Sequence, residues 1–266
     1  MQAVSHPALY KSRQDGARGR ADSERGTGGG IGARLGLGDL CKLTSGLHDI
    51  GITVGDWNPR NILVGERGSL MLLDTDSYAF TLSDVSYQTT CAAPGYIAPE
   101  VLKLMETTGV SDFESLAAAT NAPVFTPQTD DFGLAVHIFK MLNRGIHPYS
   151  SGELDLDIFD LDDAPPAPSL NSCVCNARSP FVGTLIGYVV PSYALAINDF
   201  GQLMGEAFRR SLFGKAHERL DARTWARLLD LYLSETVECP RRGHLYHALQ
   251  DECPYCRGER ALLTRL

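Results

Sequence analysis

The sequence has no long apolar run. No apolar stretch among its 266 residues approaches the length of about 20 residues that a membrane-spanning helix needs. The best candidate, residues 181–197, is interrupted by Gly183, Gly187 and Pro191. The beginning of the chain also lacks the apolar core of a secretory signal, because serine, arginine, glycine and aspartate dominate there. We therefore expect a cytoplasmic protein with no membrane partner.

Positively charged residues are fewer than negatively charged ones. The chain has 24 lysine and arginine residues against 32 aspartate and glutamate residues, which gives a formal net charge of −8. General nucleic-acid binders neutralise phosphates with a basic surface, so this balance argues against a nucleic-acid partner. It is compatible with binding of a nucleotide, because Mg²⁺ bridges acidic side chains to phosphate groups.

Cysteine is too sparse for a disulfide scaffold, since the chain has only seven and spaces them unevenly. Three of them, Cys239, Cys253 and Cys256, fall within the last 28 residues. This local concentration favours a metal site over a disulfide. The other four have no histidine at ligand spacing and are interpreted as ordinary thiols. These four are Cys41, Cys91, Cys173 and Cys175.

The rest of the sequence divides the chain into three parts. Residues 1–32 are polar and glycine-rich and show no helix or strand periodicity, so we predict a disordered linker there. Residues 33–235 alternate apolar and polar positions as a folded domain does. Residues 236–266 form the cysteine-rich tail.

The patterning of residues 33–235 predicts a mainly helical domain. Leucines recur at helical spacing before His48 and mark an amphipathic helix that ends near it. Further helices are expected over 132–142, 199–212 and 222–234. Residues 150–180 are acidic and then proline-rich, which is typical of a surface linker.

One β-hairpin interrupts this helical pattern. The apolar runs 61–64 and 70–73 are separated by Gly65-Glu66-Arg67-Gly68, and they predict two paired strands that are both largely buried. Residues 74–100 are predicted to be a loop, with Pro94 and Pro99 as breakers.

Three polar side chains flank the predicted hairpin. Asp56 and Asn61 precede its first strand, and Asp74 follows its second. Because a hairpin returns the chain to its starting end, we expect Asn61 and Asp74 to lie close together. Each residue taken alone fits a turn that satisfies its own backbone. Together they offer the oxygen ligands that Mg²⁺ prefers and a carboxylate that can orient a hydroxyl for phosphoryl transfer.

The same residues resemble the motifs of protein kinases. Asp56-x-x-x-x-Asn61 is similar to the kinase catalytic loop, and Asp74-Thr75-Asp76 falls where the metal-binding Asp-Phe-Gly triplet lies. The resemblance implies that Asp56 orients the nucleophile and that Asn61 and Asp74 hold Mg²⁺ and ATP. It also puts Asn58 in the catalytic position beside the transferring phosphate.

Three further motifs extend the resemblance along the chain. Ala98-Pro99-Glu100 is similar to the triplet that closes the activation segment. Asp130 matches the buried aspartate that braces the catalytic loop, and Arg219 matches the arginine that pairs with the glutamate of that triplet. Over residues 33–235 the chain thus resembles the C-terminal lobe of a eukaryotic-type protein kinase. More narrowly, it is similar to a bacterial kinase group with a zinc-ribbon-like tail.

The chain also departs from the kinase pattern. Val54-Gly55 stands in place of His-Arg, so phosphorylation of the activation segment cannot be read out at that position. Asn58 stands where Ser/Thr kinases usually have a lysine, and it supplies no charge to the transition state. Thr75-Asp76 replaces Phe-Gly, which removes an aromatic residue that packs differently in active and inactive states.

The small lobe of a kinase is not recognisable in the sequence. Only about 35 residues precede the first helix of the lobe, too few for a five-stranded sheet, and the glycine run 26–30 is interpreted as a linker. The chain is therefore expected to be a fragment, a degenerate kinase that acts as a scaffold, or a lobe completed by a partner. We expect weak MgATP binding by the chain alone.

The tail has the residues of a structural zinc site. Cys253-Pro-Tyr-Cys256 is a Cys-x-x-Cys pair, and Cys239 and His244 can complete four tetrahedral ligands, with His247 as the competing fourth. A redox role for the pair needs a surrounding βαβ domain, for which the tail is too short. Because so short a tail cannot build its own core, a metal has to supply its folding free energy.

These observations leave more than one function open. The first hypothesis is a Ser/Thr-type protein kinase that transfers the γ-phosphoryl of MgATP to a protein substrate. The second is a catalytically inactive scaffold that binds partner proteins through the lobe and the tail. Phosphorylation of a small molecule is a third, which Ala98-Pro99-Glu100 disfavours because that triplet is a protein-kinase feature.

Overall fold

A computed structural model describes residues 28–65, 69–159 and 166–263 of the chain. It is mainly helical, as predicted, with four small antiparallel sheets of two strands each among these residues. The helices are α1 (Gly28–Asp49), α2 (Pro99–Thr108), α3 (Phe113–Thr120), α4 (Pro127–Leu142), α5 (Leu170–Cys175), α6 (Gln202–Phe208), α7 (Ala222–Ser234) and α8 (Pro254–Leu263). The strands are β1 (Ile62–Val64), β2 (Leu70–Leu72), β3 (Phe80–Leu82), β4 (Val85–Tyr87), β5 (Glu153–Leu154), β6 (Tyr188–Val189), β7 (Thr236–Glu238) and β8 (Leu245–His247).

Helix α4 is the centre of the helical region that precedes residue 235, which is called the lobe below. Every residue from Thr129 to Met141 is buried, so the helix has no solvent-facing stripe in this stretch. The sequence predicts a helix from 132 with one apolar face, whereas α4 begins five residues earlier at Pro127. Proline is favoured at the first helical position, and the Thr129 hydroxyl accepts a hydrogen bond from the Thr126 backbone N–H at 2.9 Å. These two features start the helix.

Helix α1 packs against α7 on the outside of this core. It ends at Asp49, as the leucine spacing predicts, and buries Leu37 and Leu40. It begins at Gly28, inside the segment predicted as linker, because a helix anchored by packing can extend through residues of weak propensity. The linker prediction for residues 1–27 lies outside the described residues.

The predicted hairpin is present as β1 and β2. Ile62 pairs with Leu72 and Val64 with Leu70, and the tip at 66–68 lies outside the described residues. The prediction that both strands are buried is wrong for β2, where Met71 is 46% exposed. β1 buries Ile62 and Leu63, whereas Leu70 and Leu72 of β2 are only partly buried against the core.

The segment predicted as loop contains a second hairpin, so that prediction is wrong in part. Strands β3 and β4 pair through a two-residue turn in which Ser83 and Asp84 have φ of 47° and 67°. Hairpins with a two-residue turn are usually recognised in a sequence by Asn-Gly or Asp-Gly, and this turn has neither. Pro99 does not break structure but begins α2 at its first position.

The later part of the lobe follows the predictions more closely. Helix α7 has the predicted bounds, 222–234. The helix predicted over 199–212 is divided into a 3₁₀ turn over 197–200, α6 and a π-helical turn over 209–213. The linker predicted over 150–180 contains β5 and α5, and α5 buries Val174; residues 160–165 lie outside the described residues.

The tail forms a hairpin, β7–β8, followed by α8. It packs on the lobe, since the Tyr255 hydroxyl donates to the backbone carbonyl of Leu142 at 2.8 Å. Arg257 forms an ion pair with Asp199 at 2.8 Å. Across the described part of the chain, no helix combines the length and the apolar character that crossing a membrane requires.

Candidate functional site

Asp130 holds the loop that precedes β1. Its carboxylate is fully buried at the N-terminal end of α4. It accepts hydrogen bonds from the backbone N–H groups of Val54 at 2.6 Å and Gly55 at 2.9 Å, and from Trp57 Nε1 at 2.9 Å. His48 Nε2 lies 3.0 Å from the second carboxylate oxygen. A buried carboxylate with four such partners is well satisfied and fixes the loop conformation.

His48, near the end of α1, contacts a residue of a different helix. Its partner is Asp130, which is 82 residues further along the chain. Burial lowers the pKa of His48, and the hydrogen bond and negative charge of Asp130 outweigh that effect, so the pKa is raised overall. No local sequence pattern predicts this contact, because it joins α1 to α4, which are far apart in the sequence.

Trp57 packs into a space that α4 leaves for it. Its side chain is 1% exposed, and a Cβ atom built on Gly133 lies 2.4 Å from the indole ring. Any side chain at position 133 therefore displaces Trp57. The indole serves the loop as packing and as a hydrogen-bond donor to Asp130.

Asp56, Asn61 and Asp74 converge beside the first hairpin. Asn61 Nδ2 lies 3.2 Å from Asp56 Oδ2 and 3.4 Å from Asp74 Oδ2. The Leu73 backbone N–H also donates to the Asn61 carbonyl at 2.7 Å, which joins the two ends of the hairpin just before Asp74. The structure therefore brings together the three residues that the spacing predicts to be neighbours.

Asp56 is a buried carboxyl at the floor of this site. Burial raises its pKa, while hydrogen bonds from the Ala93 and Asn58 backbone N–H groups and from the Asn61 amide partly offset the increase. The Ala93 bond is 2.9 Å long and ties the following segment of the chain to the loop. A carboxylate so placed can accept or orient a proton from a bound hydroxyl.

Asp74 lies at the exposed edge of the site in a left-handed conformation, with φ of 62°. This conformation is uncommon for residues other than glycine and often marks functional positions. A hydrogen bond with Asp76 raises the pKa of Asp74, and burial and the negative charges of Asp76 and Asp56 add to the increase. Asp76 is a third carboxylate at the site, and in the sequence it stands out only as a departure from the kinase triplet.

The donor set fits a magnesium ion. Asp74 and Asn61 supply oxygen ligands of the kind that Mg²⁺ prefers, and three carboxylates give the region an excess of negative charge. In the structure the Asn61 amide nitrogen points between Asp56 and Asp74, the position that a positive group favours. To ligate a metal through Oδ1, this amide has to turn over, which its two-fold side-chain torsion allows.

Asn58 has a local partner in the structure. Its Oδ1 accepts hydrogen bonds from the Arg60 backbone N–H at 3.1 Å and from Arg60 Nε at 3.4 Å. It thereby caps the 3₁₀ turn Pro59–Asn61. The oxygen of the predicted catalytic residue is thus engaged with Arg60, a residue that the sequence analysis does not single out.

Glu100 and Arg219 meet across the lobe. Arg219 donates to both carboxylate oxygens of Glu100, at 2.6 and 2.7 Å, and to the Gln128 carbonyl at 2.9 Å. Its guanidinium also lies over the ring of Phe132, 5.3 Å from the centroid. A bidentate pair of this kind joins the start of α2 to the segment before α7 and specifies their geometry.

Gly55 is covered by Thr89, a contact that sequence reasoning does not predict. Gly55 has φ of 71°, and a Cβ atom built there lies 2.0 Å from Thr89 Oγ1. Thr89 itself is fully buried. Position 55 therefore has neither the backbone conformation nor the space for an arginine, which gives a structural reason for the departure at Val54-Gly55.

The tail gathers a second constellation. Ligand atoms of Cys239, His244, Cys253 and Cys256 all lie within 4.8 Å of one another. His244 Nδ1 is 3.5 Å from Cys253 Sγ and 3.7 Å from Cys256 Sγ, and the Cys239 and Cys256 sulfur atoms are 3.6 Å apart. Three thiols and one imidazole around a common centre are a typical structural zinc donor set.

His247 is directed elsewhere. Its Nε2 lies 3.3 Å from Glu235 Oε2, and its Nδ1 accepts the Leu249 backbone N–H at 3.2 Å. Of the two histidines between which the sequence cannot decide, His244 is therefore the one at the cluster. Burial raises the pKa of Cys256 to about 12, and the neighbouring Cys239 and Cys253 add to the increase.

Comparison with known proteins connects the chain to kinases. No protein-family model matches it. It is 27% identical over 217 residues, or 79% of its length, to the proteins named Protein kinase YegI of Escherichia coli O157:H7 and strain K12. It is 39% identical over 67 residues to CBL-interacting protein kinase 1 of Oryza sativa subsp. japonica, which is 24% of this chain and 14% of that protein.

The similarity covers only part of these proteins, since the chain spans 30% of the length of YegI. It nevertheless extends over 79% of this chain. Proteins with two different kinase names match the chain. These similarities support a kinase-like relationship for the chain.

Proposed function

We propose that the chain provides the phosphoryl-transfer half of a protein kinase, corresponding to its C-terminal lobe over residues 33–235. The observation that carries the proposal is the convergence of Asp56, Asn61 and Asp74, with Asn61 Nδ2 within 3.2 and 3.4 Å of the two carboxylates. The kinase names of the similar proteins favour phosphoryl transfer over other magnesium-dependent chemistry.

Each residue has a distinct role in this proposal. Asp74 and Asn61 hold Mg²⁺, which supplies positive charge to the phosphates of ATP when it is bound. Asp56 orients the hydroxyl of a serine or threonine in a protein substrate. Asp130 holds the loop that carries Asp56 through hydrogen bonds to its backbone. The Glu100–Arg219 pair joins the segment after the site to the residues that precede α7.

Residues 236–266 form a zinc-ribbon-like tail in this proposal. Cys239, His244, Cys253 and Cys256 hold Zn²⁺, and their distances support that assignment. The ion has a structural role, because all four ligands come from the protein and a catalytic zinc keeps an open position.

Transfer of labelled phosphate tests the proposed function. The chain, with Mg²⁺ and ATP labelled on the γ-phosphate, is incubated with a basic acceptor protein that contains serine and threonine. We expect slow labelling of the acceptor that disappears in Asp56→Asn and in Asp74→Asn. Asp251→Asn, which removes an exposed tail carboxylate, serves as the matched control and is expected to retain the activity.

A second candidate function is a non-catalytic scaffold that binds partner proteins. It is favoured by the engagement of Asn58 with Arg60, which occupies the oxygen of the residue predicted to be catalytic. Equal labelling by the chain and by Asp56→Asn, at the level of a blank, would support this candidate over the kinase.

A further inference from the structure

The two ring nitrogens of His244 face different parts of the molecule. Its Nδ1 lies 3.5 Å from Cys253 Sγ and 3.7 Å from Cys256 Sγ, among the thiols of the tail cluster. Its Nε2 lies on the other side of the ring, 3.4 Å from Arg144 Nη2 and 3.9 Å from Glu259 Oε1. An imidazole that binds a metal through Nδ1 carries its proton on Nε2, so this second nitrogen needs a hydrogen-bond acceptor.

Glu259 is the neighbour of Nε2 that can accept this hydrogen bond. A guanidinium only donates, so Arg144 cannot accept the proton of Nε2 and can act on the ring only through Glu259. The Glu259 side chain, on α8, is 37% exposed and has room to turn towards the imidazole. A carboxylate in this position fixes the orientation of a metal-bound histidine and makes it a stronger ligand.

Arg144 holds Glu259 beside the imidazole. It belongs to the lobe, two residues after the end of α4, and its Nη2 donates to Glu259 Oε1 at 3.0 Å. Its guanidinium also lies over the ring of Tyr255, 4.7 Å from the centroid. The Tyr255 hydroxyl donates to the carbonyl of Leu142, the last residue of α4. Arg144 is therefore fixed with respect to both the lobe and the tail.

We propose that Glu259 is a positioning residue for the zinc ligand His244 and that Arg144 is a positioning residue for Glu259. A chain of polar contacts then joins the end of α4 to the metal site, so zinc affinity depends on the lobe as well as on the tail. This inference rests on the zinc site of the proposed function and is independent of the proposed magnesium site.

The charges near the cluster make the proposal distinguishable from a general electrostatic effect. Three thiolates outweigh the two positive charges of one Zn²⁺, so a neighbouring carboxylate does not favour the complex by its charge. It favours the complex by accepting the Nε2 proton, which increases the basicity of Nδ1. Loss of the Glu259 carboxylate therefore weakens zinc binding if it acts through His244 and does not if it acts by charge alone.

The zinc affinity of the whole chain, measured by competition with a chromophoric chelator, tests the role of Glu259. We expect Glu259→Met, which removes the acceptor and keeps the side-chain length, to weaken zinc binding about tenfold. Glu259→Gln should recover part of the affinity, because its amide oxygen can still accept. Glu252→Met is the matched control and should bind as the unaltered chain does, since Glu252 precedes the ligand Cys253 but pairs with Arg260.

A double-mutant cycle tests the role of Arg144. Arg144→Gln should weaken zinc binding about threefold in the unaltered chain and not at all in Glu259→Met, because Arg144 acts through Glu259. A guanidinium that stabilises the complex by its charge alone would have the same effect in both backgrounds. That result would overturn the positioning role of Arg144.

NMR of the imidazole nitrogens reports on the hydrogen bond itself, independently of affinity and stability. In the zinc-loaded chain we expect the Nε2 proton of His244 to exchange slowly with water, and in Glu259→Met we expect it to exchange quickly while Nδ1 stays bound to the metal. Equal exchange rates in the two chains would overturn the hydrogen bond to Glu259.

The proposed zinc site has its own arm in the same measurements. If Glu259→Met binds zinc as tightly as the unaltered chain and His244→Ala does not, only the inference about Glu259 and Arg144 fails. If the unaltered chain binds no zinc, the zinc site and the inference both fail.

Discussion

The acidic site beside the first hairpin and the Cys/His site of the tail are built in different ways. The loop that carries Asp56 is held by the Asp130 carboxylate, which accepts hydrogen bonds from Val54 N–H and Trp57 Nε1 and lies more than 70 residues away from them in the sequence. The tail ligands all come from residues 239–256 and face one another directly. The first site is positioned by the folded lobe, whereas the second is built from one short segment, which in our proposal a metal ion stabilises.

This difference decides what each site contributes to the protein. The acidic site brings like charges together within the lobe, and the raised pKa of Asp74 reflects a hydrogen bond with Asp76 and the negative charges of Asp76 and Asp56, whereas burial raises the pKa of Asp56. The tail site has little apolar core of its own, so metal binding should supply much of its stability. We therefore expect loss of the tail site to be the more damaging to the fold.

The largest effect is expected from removing a zinc ligand. Cys253→Ser should abolish the one bound zinc ion per chain and unfold the tail, at a cost of several kcal/mol, because the metal supplies its folding free energy. Metal analysis of the purified chain and thermal unfolding measure the two effects. Cys175→Ser is the matched control, since its sulfur lies 3.6 Å from Glu106, outside the cluster.

Variants of His244 and His247 test which histidine is the fourth zinc ligand. His244→Ala should lower zinc content, whereas His247→Ala should leave it unchanged, because His247 contacts Glu235. A chain purified without metal, or zinc lost only in His247→Ala, would contradict the assignment of the four ligands.

A smaller loss is expected within the lobe. Arg219→Gln should lower the free energy of unfolding by about 2–3 kcal/mol, because it removes the charge-assisted hydrogen bonds of the buried Arg219 guanidinium to the exposed Glu100 and leaves the Gln128 carbonyl without its donor. Arg223→Gln breaks an exposed ion pair with Asp49 and should cost about 0.5 kcal/mol or less. Denaturant unfolding measures the free energy of unfolding of both variants. Equal decreases would show that the Glu100–Arg219 pair stabilises the fold no more than an exposed ion pair does.

A third effect concerns pH. Burial, with the negative charges of Asp130 and Asp221, raises the pKa of Asp131 to about 7, while His48 and Arg219 lower it. Because the folded chain then holds this proton more tightly than the unfolded chain, its contribution to stability is lost as pH rises from about 4 to about 7. Asp131→Asn should remove this contribution to the slope and be more stable by about 4 kcal/mol at pH 8 if the whole shift is realised, with little difference at pH 4.

Chemical unfolding of both chains between pH 4 and pH 8 measures this difference. Asp251→Asn, which changes an exposed carboxylate, should keep the slope of the unaltered chain. Parallel profiles for Asp131→Asn and the unaltered chain would show that Asp131 does not hold its proton in the folded state.

Much of both sites can be predicted from the sequence, for different reasons. Cys253 and Cys256 are local signals, and the hairpin geometry suffices to bring Asn61 and Asp74 together. The partners that support the acidic site cannot be found by spacing alone. His48 and Thr89 are examples, because each contacts a residue from another element and neither belongs to a motif.

The fold shows the same limit. Helix α7 is predicted with its bounds because it has one apolar face, whereas α4 is buried all round and loses the periodicity that would mark its start. The β3–β4 hairpin is missed because its strands are largely exposed and its turn is Ser83-Asp84. An element that is buried on every side, or exposed on every side, does not alternate apolar and polar residues. Prediction of helices and strands from sequence depends on that alternation.

Titration with Mn²⁺ tests the central claim most directly, since this ion substitutes for Mg²⁺ and broadens the amide resonances near it. We predict saturable broadening centred on Asn61 and Asp74, lost in Asp74→Asn and retained in Asp251→Asn. Broadening spread equally over other acidic segments such as residues 155–157, or unchanged in Asp74→Asn, would contradict a magnesium–phosphate site at Asp56, Asn61 and Asp74.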